Sequence, residues 1–247
     1  MKKIFIVLYL VVNLYSNSFS NLLSEINEEK YVSALNIINK GNILKYKNKL
    51  ESLSFEKKTI QVKYTLFLIY FELKENKKAL EILKELVDKK YSEAQNTLGN
   101  FYETGRLVKK NKEKGFQLYL LSANNNSMEG QYNLGRSYVN GIGTLQNYKN
   151  AFKWFEKSAN AGYAEAYSEL GVFYIKGNYV KNDDLKAVEL FKKSINLGNN
   201  EAKCRIAVPL VLLKRFKEAK RYTLEGYNEG YRVFCKNIWQ KLDLKNK

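Results

Sequence analysis

Ser54-Phe55-Glu56-Lys57 has the spacing at which a lysine amine can deprotonate a serine hydroxyl three residues before it, and acyl transfer is the chemistry such a pair would serve. The Ser-Asp-Asn and Lys-Thr-Gly motifs that complete that kind of site are missing, and the Lys58-Thr59 that follows leads into Ile60. Taken alone, Ser54 reads as a helix-capping serine. Gly141-Ile142-Gly143 could be taken for a phosphate cradle, but it lacks the preceding strand and the Lys-Ser/Thr or third glycine that a cradle needs. There is no histidine in the 247 residues, which removes the usual neutral-pH acid–base group, Ser–His and Cys–His nucleophile pairs, and imidazole metal ligands. Expected, then, are no catalytic residues, no metal site and no cofactor: the chain reads as a binding protein and not an enzyme.

The elements that carry these residues are read from composition first. Apolar residues make up 45% of the chain, enough for a packed core, and a single proline (Pro209) with 14 glycines permits long helical stretches. The fold class is expected to be all-α. The net charge is +17, yet lysine is spread along every segment, which is the pattern of a solvated surface and not of a nucleic-acid track.

Met1-Lys2-Lys3, the apolar run Ile4 to Val12 and the small polar stretch Ser16-Asn17-Ser18-Phe19-Ser20 have the three regions of a signal peptide, with Ser18 and Ser20 placing a cut after residue 20. The apolar run is too short to span a bilayer, so no stable membrane span is expected after cleavage. Periplasm or the extracellular space is the expected destination.

A fixed period organises the rest. Glu93 to Gly105, Glu129 to Gly141 and Glu165 to Gly177 align at a step of 36 residues, and Lys114-Gly115-Phe116, Asn150-Ala151-Phe152 and Lys186-Ala187-Val188 keep the same step. Apolar residues at helical spacing in both halves make each unit a helical hairpin. Gly99, Gly135 and Gly171 fall mid-helix, where glycine costs roughly 1 kcal/mol against alanine, so a close helix approach is expected there. Trp154, Phe155 and the stripe Tyr102, Tyr138 and Tyr174 could stack bases or sugars, but their phase assigns them to the interhelical core.

Leu134-Gly135, Tyr138, Gly141-Ile142-Gly143, Asn150-Ala151, Trp154-Phe155, Lys157-Ser158-Ala159 and Ala161-Gly162-Tyr163 resemble the Sel1-like repeat of the tetratricopeptide superfamily. The resemblance implies a right-handed α-solenoid of helical hairpins. The organisation expected is a signal peptide over 1–20, an N-terminal helical cap over 21–56 and a tetratricopeptide-like repeat over 57–91. Three 36-residue Sel1-like repeats over 92–200, a short tetratricopeptide-like repeat over 201–230 and a capping helix over 231–247 follow. Adding the short 32-residue step to Cys204 gives 236, one residue from Cys235, so these two are expected to lie close enough to bridge in an oxidising compartment.

The same superfamily binds on the concave face of its first helices. That implies a ligand-facing set of Tyr64, Asn96, Asn100, Tyr132, Arg136, Asn140, Ser168 and Lys176. The expected partner of what should be a monomer is a protein or peptide, with no nucleic acid. Two other functions are open: a β-lactamase-like hydrolase, which some cysteine-rich repeat proteins of this kind suggest, and a periplasmic immunity protein that neutralises a toxin.

Overall fold

Thirteen-residue amphipathic segments punctuated by Asx and glycine turns give an all-helical chain. The computed structural model describes residues 59–242 and, ahead of them, residues 44, 47–48 and 50–53. Ser54 and Lys57, the segment 1–20 and most of the expected cap over 21–56 lie outside the described residues. The chain divides into two units, 1–94 and 95–247.

In the first unit, α1 (Ile60–Glu72) starts at Thr59, whose hydroxyl accepts from the Val62 N–H at 3.3 Å, and buries Val62, Leu66, Phe67, Ile69 and Tyr70. α2 (Asn76–Asp88) returns after a turn in which Lys74 takes φ 60°, and presents Ala79, Leu83 and Leu86 to the same core. The two helices form a hairpin over residues 60–88. Ion pairs Lys63–Glu85 and Lys89–Glu85 tie its surface.

The boundary between the units falls within α3 (Ser92–Thr104). After it come α4 (Lys112–Asn124), α5 (Met128–Asn140), α6 (Tyr148–Asn160), α7 (Ala164–Lys176) and α8 (Asp184–Asn196), so first and second helices each recur at the 36-residue step. The second helices begin alike: Asn111, Asn147 and Asp183 each accept from the N–H three residues on, at 2.8–2.9 Å. Their own N–H groups donate to the carbonyls of Tyr102, Tyr138 and Tyr174, which fixes how each chain segment leaves the first helix.

Inside each hairpin a glycine meets a ring. A Cβ on Gly99 would lie 2.9 Å from the Tyr119 ring, one on Gly135 2.7 Å from Phe155, and one on Gly171 3.0 Å from Phe191. The rings are themselves 36 residues apart and fully buried. A second tier seals the hairpin's other end, where Ser158 Oγ donates to the Met128 carbonyl at 2.7 Å and Ser194 Oγ to the Ala164 carbonyl at 2.6 Å.

The loops explain why Gly143 alone keeps its glycine. Leu107, Gly143 and Tyr179 all take positive φ (60°, 68° and 75°), but a Cβ on Gly143 would fall 2.1 Å from the Lys112 carbonyl oxygen. The left-handed backbone is required three times, and the empty space is required once.

Past α8 the expected first helix of the short repeat is interrupted. α9 (Ala202–Arg205) and α10 (Ala207–Leu212) are separated at Ile206, because Pro209 has no N–H to give the Arg205 carbonyl. α11 (Phe216–Asn228) and α12 (Arg232–Lys241) complete the chain. Ile238, Trp239 and Leu242 pack against the core formed by Ala187, Phe191, Ile206, Leu210 and Ala219.

Cys204 of α9 and Cys235 of α12 are joined by a disulfide, with Cα atoms 5.1 Å apart. Gly226 of α11 packs onto it, since a Cβ there would lie 2.8 Å from Cys204 Sγ. Closing a loop of 31 residues contributes roughly 3–4 kcal/mol in the chain-entropy picture. Reduction, or Cys204→Ser with Cys235→Ser, should therefore lower the urea midpoint at unchanged α-helical signal. Identical midpoints for oxidised and reduced protein would contradict this.

Burial favours the neutral phenol of Tyr132 and pushes its pKa up to about 12, while Tyr119 and Tyr163 are raised further, again chiefly by burial. A raised phenol pKa stabilises the folded chain fully below the ordinary tyrosine value of about 10 and less and less as pH climbs through the folded value. Absorbance titration at alkaline pH should show a class of tyrosines that ionises only together with loss of helix. Ionisation of every tyrosine near pH ~10 in the folded protein would contradict the assignment.

Candidate binding face of the first helices

The first helices of the second unit lie side by side in one register. Asn133 Nδ2 of α5 donates to Asn96 Oδ1 of α3 at 2.9 Å, and Arg136 Nη2 stands 3.9 Å from Glu103 Oε1. Further along, Arg205 of α9 reaches Glu169 of α7 at 3.0 Å and Glu201 at 2.8 Å. These bonds tie the first helices of neighbouring repeats, α3 to α5 and α7 to α9.

Five of the expected site residues lie on these first helices as two groups. Asn100, Asn140 and Lys176 are exposed. Asn140 Nδ2 donates to the Arg136 carbonyl at 3.0 Å, near the end of α5. Asn96 and Arg136 are half-buried members of the cross-helix network; Arg136 also donates to Asn133 Oδ1 at 3.2 Å. Arg136 therefore bonds to Glu103 and Asn133, and no pair joins it to Glu129 among the described bonds.

Three residues sit elsewhere. Tyr132 lodges between Phe155 and Tyr163, with ring centroids 5.7 and 5.0 Å away, so it packs one hairpin on the next. Ser168 is buried, and its hydroxyl has no hydrogen-bond partner. Buried at 2% exposure, Ser168 offers no atom to a ligand, which corrects its expected place in the ligand-facing set. In the first unit, Tyr64 packs against Phe67 and Tyr91 at 5.5 and 5.3 Å. Of the other aromatic side chains assigned to the core, Phe155 is fully buried, whereas Trp154 is half-buried and lies under Lys157 Nζ, 4.1 Å from the ring.

Asn133, Glu169 and Arg205 belong to the face although the superfamily positions omit them. Their 36-residue spacing was the available signal, because residues one period apart on parallel neighbouring helices face each other. Arg205 further stacks on Phe234 of α12, 5.8 Å from the ring centre. Its guanidinium is held charged despite burial by Glu169 and Glu201.

Among the described residues no group of His, Cys, Asp or Glu is arranged to hold a metal ion, and no helix is long and apolar enough to cross a membrane. What the face can do chemically is hydrogen-bond and pair charge.

The Sel1 repeat profile matches residues 92–127, 129–163 and 164–199. Among solved structures, a Sel1 repeat protein from Oxalobacter formigenes is 24% identical with a TM-score of 0.68, over 78% of this chain and 81% of that one. A protective antigen of uropathogenic Escherichia coli with an SLR fold is 19% identical with a TM-score of 0.65, over 85% of this chain and 50% of that one. Pseudomonas aeruginosa pilF is 17% identical with a TM-score of 0.61, over 87% and 97%. These likenesses concern the fold. None of the curated proteins matches the chain. The period, the glycine–ring joints and the profile agree that residues 92–199 are three consecutive Sel1 repeats.

Proposed function

We propose that this protein is an exported scaffold that captures a protein or peptide on the first-helix face of its Sel1 repeats. A helical-repeat array of this class suits protein–protein interaction in general, because stacked hairpins offer an extended surface. What supports this reading is that Asn100, Asn140 and Lys176 are exposed on first helices whose neighbours are tied by the Asn96–Asn133, Arg136–Glu103 and Glu169–Arg205 bonds. Asn100 and Asn140 can hydrogen-bond an extended backbone, and Arg136, tethered at 3.9 Å from Glu103, can turn toward a carboxylate. Export rests on the three-part pattern of the first twenty residues, and the Cys204–Cys235 disulfide fits an oxidising compartment.

With Tyr132 committed to packing, the test avoids it. Mature protein recovered from periplasm should begin near Asn21 and serve as bait for partner capture. An Arg136→Ala/Asn140→Ala/Lys176→Ala variant should then lose about tenfold or more in affinity with its unfolding curve unchanged. A variant with the exposed second-helix lysines Lys153, Lys157, Lys193 and Lys217 changed to glutamine should bind within about twofold at physiological salt. The reverse ranking would sink the first-helix assignment.

A further inference from the structure

The loops between first and second helices form a separate surface. Lysine is spread through the sequence as a whole, but Arg106 to Lys114 holds five cations (Arg106, Lys109, Lys110, Lys112, Lys114) and one acid, Glu113, and all six are exposed. Folding extends this stretch along one edge. Gly143 lies against the Lys112 carbonyl, which seats the second loop on the start of α4. The Tyr179 ring is 5.5 Å from Phe152, which seats the third loop on α6.

Two rows one repeat apart then run along the edge: Lys109, Leu145 and Lys181, and Glu113, Lys149 and Leu185. Leu145 is 87% exposed, Leu185 63% and Tyr179 50%. Charged residues occupy the equivalent positions in the neighbouring repeats, so the fold does not require leucine at either place. Besides Glu113, the acids of this edge are Asp183, which caps α8, and Asp184 in its first turn. Lys109, Lys110, Lys112, Lys149 and Lys181 are exposed and pair with no carboxylate among the described ion pairs.

From this juxtaposition we propose that the loop edge is a peripheral docking surface for an anionic lipid bilayer. Leu145, Leu185 and Tyr179 would enter the interface, and Lys109, Lys110, Lys112, Lys149 and Lys181 would meet headgroup phosphates. Short apolar tips flanked by lysine are the chemistry of a surface that lies on a membrane without crossing it. Lysine stems can lie along the apolar layer while their ammonium groups stay in water. A nucleic-acid backbone would gain nothing from bare leucines, and the edge has one arginine and no dense cation track beyond the first loop. The surface is distinct from the first-helix face and does not depend on it.

The experiment is co-sedimentation of the full chain with phosphatidylcholine vesicles, with and without about 30% phosphatidylglycerol, near physiological salt. Binding that depends on phosphatidylglycerol is expected. It should fall roughly tenfold in Lys109→Gln/Lys110→Gln/Lys112→Gln, and by a similar factor in Leu145→Ser/Leu185→Ser, while both variants keep the wild-type melting curve. A control of equal charge change, Lys217→Gln/Lys220→Gln/Lys236→Gln, should bind as wild type. The proposal is overturned if phosphatidylglycerol adds no binding, if the control loses as much as the loop variants, or if the leucine variant binds normally. Displacement from the vesicles by a short DNA duplex would overturn it too, in favour of a polyanion site.

Discussion

The contact on which the rest of the structure depends is the glycine–ring joint inside each hairpin. At Gly99, Gly135 and Gly171 the first helix gives up a side chain so that Tyr119, Phe155 or Phe191 of the second helix can sit against its backbone. Glycine there sacrifices roughly 1 kcal/mol of helix propensity, and burying a large ring without a cavity returns more. The joint recurs at one step, so the three hairpins over 92–196 share it. Phe155 in turn touches Tyr132 and Phe173, so the ring that closes one hairpin also packs the next.

Regular spacing is what makes surfaces. Equivalent residues of consecutive hairpins stand next to each other, so a row in the sequence with a period of 36 becomes a row in space. On the first-helix side this yields the Glu169–Arg205 bond, 36 residues apart, with Asn96–Asn133 and Glu103–Arg136 joining residues within one turn of equivalent positions. On the loop side it places Leu145 between lysine-bearing neighbours. The first surface is mostly satisfied by its own hydrogen bonds, which keeps it in shape; the second is not, and its leucines remain bare. At the far end of the described residues the disulfide joins α9 to α12, whose exposed residues include Arg232, Lys236 and Gln240.

Much of this was legible in the sequence, since a repeat writes its geometry several times. The hairpins, the close approach at the mid-helix glycines and the proximity of Cys204 to Cys235 all follow from period and spacing. The site was less legible. Tyr132 resembles a groove aromatic by position, but whether an aromatic faces a ligand or the next repeat depends on what stands at Tyr163, a residue of the following hairpin. Ser168 occupies a superfamily ligand position, yet helix approach at that point buries it. The break at Ile206 was signalled by Pro209 alone, and the basic stretch Arg106 to Lys114 was masked by a chain-wide abundance of lysine.

The glycine–ring joint makes a claim whose sign can be measured. Propensity alone predicts that Gly135→Ala, in the middle of α5, stabilises the chain by about 1 kcal/mol. The joint predicts the opposite, because the new Cβ would sit 2.7 Å from the buried Phe155 ring, and overpacking of this kind costs about 1–3 kcal/mol. Urea unfolding of Gly135→Ala should show a net loss of stability, and Phe155→Leu should be less destabilising in the Gly135→Ala background than in the wild type. A more stable Gly135→Ala, with Phe155→Leu equally harmful in both backgrounds, would contradict the account.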